Sequence, residues 1–379
     1  MAAPDIALVI HDLNLTNGQG RYVVEILRRL QSRARFSVFS NTADPAVLRD
    51  LSAVQWVHVP AWRRRYIGAV FSFLALSQLA VRRARPGLIH AQGLSCWSAD
   101  VVTVHMINAV RARKLASRQQ RARVFSAIVT PIEHSFYRQS RARHAIVMSR
   151  RLGTELAAEY GWNRPLSVIP HGTDTGVFRP ARDEAEKLEL RGRLGIPGPG
   201  LVWLFVGEAV KGLKETIAEL PRFPQARLLV VSRSDPEPYR MQAEVLGVAH
   251  RVVFAGFTPE PEVAYRAADI FVYPSPYEPF GMVVTEAMSS GLACIVGSEV
   301  GAAELMTHGV DGYLFDPTDS ASLHRYLETL SGDSGTLRRV GIAARNTIAH
   351  HDWNACAEAT WQVYQAASST GSTGVSGLL

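Results

Sequence analysis

Cysteine is scarce in this chain of 379 residues. The three present, Cys96, Cys294 and Cys356, are far apart and odd in number, so neither a disulfide framework nor a metal cluster is suggested. No N-terminal stretch joins a basic start, an apolar core and a cleavage site, because Asp5 interrupts the first apolar run. A cytoplasmic protein is expected. No short internal repeat is visible. Hydrophobic residues make up 47% and charged residues 20% of the chain. This excludes a disordered chain or a collagen-like fibre, and the length allows about two to three domains.

Acidic residues are scarce in one half only. Residues 1–150 hold 22 basic and 7 acidic residues, a net of +15; residues 151–379 hold 19 and 27, a net of −8. Opposite charges predict two domains with different partners. The basic half could face nucleic acid, an anionic membrane or a phosphorylated substrate.

Short apolar runs alternate with amphipathic stretches. Ile6–Ile10, Phe36–Phe39, Val54–Val59, Leu88–Ala91, Val101–His105, Ala145–Met148 and Leu166–Ile169 read as buried strands. So do Leu201–Val206, Arg227–Val231, Arg251–Phe254, Ile270–Tyr273 and Ala293–Val296. Helical patterns stand between them, among them Arg21–Leu30, Lys211–Leu220 and Met282–Ser290. The alternation predicts an α/β protein of two doubly wound parallel-sheet domains facing each other across a cleft, residues 1–175 and 176–352. A final helix, about 353–367, is expected to pack back on the first domain. Residues 368–379 read as a flexible tail.

The densest signal lies in Ala268–Pro317. A strand ends at Pro274, and the loop Ser275-Pro-Tyr-Glu-Pro-Phe-Gly281 leads into a helix near Met282. The amides of Gly281, Met282 and Val283 at such a helix start suit a phosphate. Glu278 and Glu286 suit sugar or ribose hydroxyls. The competing reading makes Glu278 a cap and Glu286 a complement to the helix dipole. The Pro-Phe-Gly turn favours the ligand.

Tyr277-Glu-Pro-Phe-Gly-Met-Val-Val-Thr-Glu-Ala-Met-Ser-Ser-Gly291, with Gly301-Ala-Ala-Glu-Leu and Gly309-Val-Asp-Gly-Tyr-Leu-Phe, resembles the donor-site signature of retaining glycosyltransferases of family 4. Asn17-Gly-Gln-Gly-Arg-Tyr22, Val168-Ile-Pro-His-Gly-Thr-Asp174 and Phe254-Ala-Gly-Phe257 are similar to its glycine-rich loop, interdomain segment and base-pocket strand. The resemblance covers nearly the whole chain and extends to bacterial lipopolysaccharide and polysaccharide enzymes. It implies the GT-B fold and transfer of a hexose from a nucleoside diphosphate sugar, UDP or GDP, to a hydroxyl. It implies no cofactor and no metal, and no Asp-x-Asp pattern stands at a strand end.

By that resemblance Glu286 holds the ribose, Glu278 contacts the transferred sugar, and Gly281, Met282 and Val283 receive the diphosphate. Phe257 and Phe280 line the donor site. Val206-Gly-Glu-Ala-Val-Lys-Gly-Leu213 resembles the second phosphate element, with Gly207 and Lys211 at the donor phosphates. Here Glu208 stands where the family carries an arginine. Either another cation replaces that arginine, such as Lys214 or Arg233, or the diphosphate is held less tightly. His105 falls where the family has a histidine near the sugar; a structural strand-end histidine is the alternative.

Gly18 and Gly20 are expected in a turn facing donor phosphate or acceptor, with Arg21 opening the next helix. Asp12 and Arg21 are candidate acceptor contacts. His171 is expected to orient the hinge. The basic half predicts an anionic glycan or glycolipid acceptor, or peripheral contact with an anionic membrane. Arg63-Arg-Arg65 and Arg82-Arg-Ala-Arg85 bracket the apolar run Tyr66–Val81. No nucleic acid is expected, because the arginines are interleaved mainly with Ala, Ser and Gln. The competing functions are a sugar-nucleotide epimerase of similar architecture and a basic nucleic-acid-binding protein.

Overall fold

A computed structural model describes residues 3–369 except 63–65, 115–119, 197, 199 and 318. The Arg63–Arg65 cluster and residues 370–379 of the expected tail therefore lie outside the described residues. The chain divides into two compact units, residues 1–172 with 353–379, and residues 173–352.

Unit 1 is built on a seven-stranded sheet, all parallel. In spatial order its strands are Gln55–His58, Arg35–Ser40, Asp5–Val9, Leu88–Gln92, Val101–Val104, His144–Val147 and Leu166–Val168. Unit 2 carries six parallel strands, ordered Val252–Gly256, Ala226–Val231, Leu201–Val206, Ile270–Tyr273, Ala293–Gly297 and Tyr313–Phe315. In both sheets the first strand lies between the second and the fourth. The winding reverses there, and open α/β sheets bind ligands outside the carboxyl ends of the strands at that point. Strands buried on both faces explain the continuous apolar runs: Val202–Phe205 and Ile270–Val272 are at most 0% exposed.

The helix Trp353–Ser369 belongs to unit 1. Arg33 bonds Glu358 at 2.5 Å, Arg29 Nε donates to Asn354 at 2.9 Å, and the hydroxyls of Tyr22 and Thr360 meet at 3.3 Å. The helix Tyr66–Ala84 is longer than the run suggested. Phe73, Ser77 and Val81 face the core, while Phe71, Leu76 and Leu79 are exposed. Among the described residues no helix is long and apolar enough to cross a membrane.

Two elements correct the expectations. Gly18 and Gly20 do not form a turn: they lie in the first turn of the helix Gly18–Leu30, capped by Asn17, whose side chain accepts from Gly20 N at 2.7 Å. Gly18 therefore opens this helix, and Arg21 is its fourth residue. Lys211 does not start a helix either. It closes a 3-10 turn, Ala209–Lys211, and Gly212 at φ 114° separates it from the helix Leu213–Glu219. Asp12 sits beyond the first strand, in a two-residue pairing of Asp12–Leu13 with Thr42–Ala43, and accepts a hydrogen bond from Thr42 Oγ1.

Candidate functional site

At the switch point of unit 2, two loops leave adjacent strands. The first, Gly207–Gly212, follows Leu201–Val206. The second, Pro274–Gly281, follows Ile270–Tyr273. Glycines let them approach. Gly207 has φ 134° and a Cβ there would lie 3.4 Å from the Tyr273 ring; at Gly212 it would lie 2.6 Å from Pro274.

Lys211 Nζ donates to Glu278 Oε2 at 2.5 Å across this junction, and Tyr273 Oη donates to the same oxygen at 3.2 Å. Burial works against the Lys211 charge, but Glu278, with Tyr273 and Glu208 near, outweighs it and lifts the ammonium above the usual lysine range. Lys211 is therefore a permanent cation here. Burial and the same carboxylates push the Tyr273 phenol up, so it acts as a neutral donor.

The second loop is fixed from outside. Glu278 N donates to Glu299 O at 3.2 Å, Gly301 N to Glu278 O at 2.9 Å and Ala302 N to Phe280 O at 2.7 Å. A Cβ on Gly301 would fall 2.0 Å from Pro279 O. Phe280 is buried beneath the loop. Gly281, at φ 88°, caps the helix Met282–Ser289. The leading amides of a helix have no partner within it, so Met282 and Val283 present donors and the positive end of the dipole beside Lys211's loop. Glu286 is buried further along this helix, where it accepts from Tyr265 Oη at 2.8 Å. Phe257 follows the strand Val252–Gly256 and is 57% exposed, with the Arg233 guanidinium 3.8 Å above its ring centroid.

The structure thus gathers Gly207, Lys211, Glu278, Phe280, Gly281, Met282 and Val283 at one junction of unit 2. Tyr273 and Tyr265, which hold the two glutamates, were missed by the sequence reading. Their partners lie 5 and 21 positions away, and no local pattern marks them.

The unit 1 candidates form a separate group. His105 stands just beyond the strand Val101–Val104, buried, with Nε2 2.7 Å from Gln92 Oε1. Gln92 Nε2 lies 3.3 Å from His90 Nε2, which also meets Thr103 Oγ1 at 2.7 Å. His90 Nδ1 reaches Tyr364 Oη, on the terminal helix, at 2.8 Å. Burial holds both His90 and His105 neutral and lowers each pKa to about 3. His171 is buried between Tyr22 and Trp353, with ring centroids at 5.2 and 6.0 Å. Gly20 is confined because a Cβ would lie 2.2 Å from Asn14 O. Among the described residues no group of three His, Cys, Asp or Glu is placed to hold a metal.

Two family models divide the chain along the same lines. "Glycosyltransferase Family 4" matches residues 16–177 and "Glycosyl transferases group 1" matches residues 186–347. The chain belongs to glycosyltransferase family 4. A D-inositol 3-phosphate glycosyltransferase of Xylanimonas cellulosilytica is 27% identical over 93% of this chain and 92% of its own. An uncharacterised glycosyltransferase of Methanocaldococcus jannaschii is 30% identical over 59% of this chain and 60% of its own. The chain spans about half the length of most other curated relatives it matches. Among solved structures, the sucrose-phosphate synthase of Thermosynechococcus elongatus superposes with a TM-score of 0.80 at 24% identity, covering 96% of this chain and 98% of that one. HepE of Anabaena, in complex with UDP and glucose, gives 0.74 at 20% identity, covering 95% and 99%. This family-4 chain therefore has the GT-B fold, with two Rossmann-like parallel-sheet units.

Proposed function

We propose that this protein is a retaining glycosyltransferase that moves a hexose from a nucleoside diphosphate sugar to a hydroxyl of an anionic glycan or glycolipid. The observation that carries the reading is the Lys211–Glu278 contact at 2.5 Å, made across the switch point beside the Gly281-capped helix. A permanent cation and helix amides suit a leaving diphosphate. Glu278, already on that cation, suits hydroxyls of the transferred sugar, and Glu286 those of the ribose. HepE's complex with UDP and glucose supports a nucleotide-sugar donor.

Retention needs no covalent intermediate. The leaving phosphate takes the acceptor's proton on the same face, and catalysis rests on positioning and charge neutralisation. Lys211 and the amides supply positive charge at the leaving diphosphate, in keeping with a metal-independent reaction. The charge of unit 1 and the inositol-phosphate relative favour a phosphorylated acceptor, as in surface polysaccharide or lipopolysaccharide assembly. The exposed Phe71, Leu76 and Leu79, followed by exposed Arg82, Arg83 and Arg85, suit peripheral contact with an anionic membrane from the cytoplasmic side.

A thermal-shift screen of UDP- and GDP-sugars tests this reading. A true donor at 100 times its dissociation constant stabilises the protein by about 2.7 kcal/mol. No shift with any nucleotide sugar contradicts it. Sugar conversion without any acceptor would favour the epimerase instead.

A further inference from the structure

The charge around Lys211 does not balance a diphosphate. Lys211 is in contact with Glu278, and Glu208 bears on it from the same loop. Lys211 is thus already shared with carboxylates before a ligand with about two further negative charges arrives. Helix amides offset part of this, but a second full charge is called for. Two cations stand near enough in sequence and fold to be considered, Lys214 and Arg233.

Lys214 is exposed in the first turn of the helix Leu213–Glu219, where the dipole disfavours a cation. It has a flexible ammonium stem, and its recorded bond is through its backbone carbonyl, which accepts from Gln242 Nε2 at 2.8 Å. Arg233 is placed quite differently. It lies in the turn after the strand Ala226–Val231, the neighbour of Leu201–Val206. That turn is tied to Lys211's loop, since Ala209 N donates to Ser234 Oγ at 3.0 Å. It is tied on the other side to the third strand by Ser232 N donating to Gly256 O at 3.0 Å. The Arg233 guanidinium carbon stands 3.8 Å from the centroid of the exposed Phe257 ring, and among the described residues no carboxylate pairs with it. A guanidinium held over a ring by cation–π attraction still has N–H donors to offer, and its fork of donors matches phosphate oxygens in bidentate fashion.

We propose that Arg233, seated on Phe257 and tethered to the Lys211 loop through Ser234, supplies the second cation for the donor's diphosphate and compensates for Glu208. The inference rests on the donor-site reading above. It makes Arg233 a binding residue for a nucleoside diphosphate, and Phe257 the platform that holds its side chain ready.

Isothermal titration with UDP, GDP and the corresponding nucleosides tests it on the full chain, with thermal unfolding as a check that each variant folds. Arg233→Ala should weaken the diphosphate that binds by about tenfold or more and leave the nucleoside within about twofold. Lys214→Ala should change neither. Glu208→Arg in the Arg233→Ala background should recover most of the lost affinity, because it restores the missing charge from the opposite side of the tether. Diphosphate binding that survives Arg233→Ala, while Lys211→Ala weakens it, overturns this inference and leaves the donor site standing. Equal loss of nucleoside and diphosphate in Arg233→Ala also overturns it, since the stack would then be a base shelf. Binding untouched by Lys211→Ala overturns the donor-site reading, and this inference with it.

Discussion

The buried histidines of unit 1 make its stability depend on pH in a direction the structure fixes. His90 and His105 are enclosed, linked through Gln92, and burial lowers each pKa to about 3 from an ordinary value of 6.5. The unfolded chain therefore binds more protons than the folded one between about pH 3 and pH 6.5. Stability is whole above that window and is lost as the pH falls through it. At pH 5 each histidine costs roughly 2 kcal/mol relative to pH 8, so the pair costs about 4 kcal/mol. His171, also lowered by burial, adds in the same sense. The assay is urea unfolding followed by tryptophan fluorescence. Six of the seven tryptophans, all but Trp203, belong to unit 1, so the signal reports that unit. The His105→Asn variant should lose about 2 kcal/mol less than the wild type between pH 8 and pH 5, whatever its starting stability. Coincident pH slopes for the two proteins would refute the reasoning.

Other outcomes follow from single contacts. Gly301→Ala must displace the Pro279 carbonyl, 2.0 Å from the new Cβ; it should cost about 1–3 kcal/mol in unfolding and weaken nucleotide binding. Glu286→Gln keeps the packing of the helix but loses the carboxylate, and should weaken UDP or GDP more than their 2′-deoxy forms if Glu286 holds ribose. Leu76→Ser with Leu79→Ser should reduce co-sedimentation with vesicles rich in anionic lipid several-fold while leaving nucleotide titrations unchanged; equal sedimentation would remove the membrane reading.

Most sheet strands were legible because their central runs are buried on both faces, so Leu201–Val206 and Ile270–Tyr273 carry no polar alternation to confuse them; the three-residue edge strand Tyr313–Phe315 was too short to be read. The helix Glu184–Arg193 was not read, because its pattern is mostly polar. Leu190 is its buried apolar residue, and the ion pairs of Lys187 and Arg191 with Asp269 fasten it. Glycine misled at Gly18 and Gly20. Both lie in the first turn of a helix, and Gly20 serves the close approach of that helix start to Asn14. The loop residues of the site were legible as a motif, yet the Lys211–Glu278 contact spans 67 positions. It exists only because two strands distant in sequence are neighbours in the sheet; Tyr265 likewise reaches Glu286 from a different helix, Pro261–Ala267.

The central claim is that the switch point of unit 2 holds a nucleoside diphosphate sugar. Calorimetric titration of UDP and GDP against the wild type and Lys211→Ala tests it most directly. The account predicts saturable binding of one of them to the wild type, weakened at least about tenfold in the variant as a charge-assisted contact is lost. Failure of both nucleotides to bind the wild type, or equal affinity in the two proteins, would contradict it.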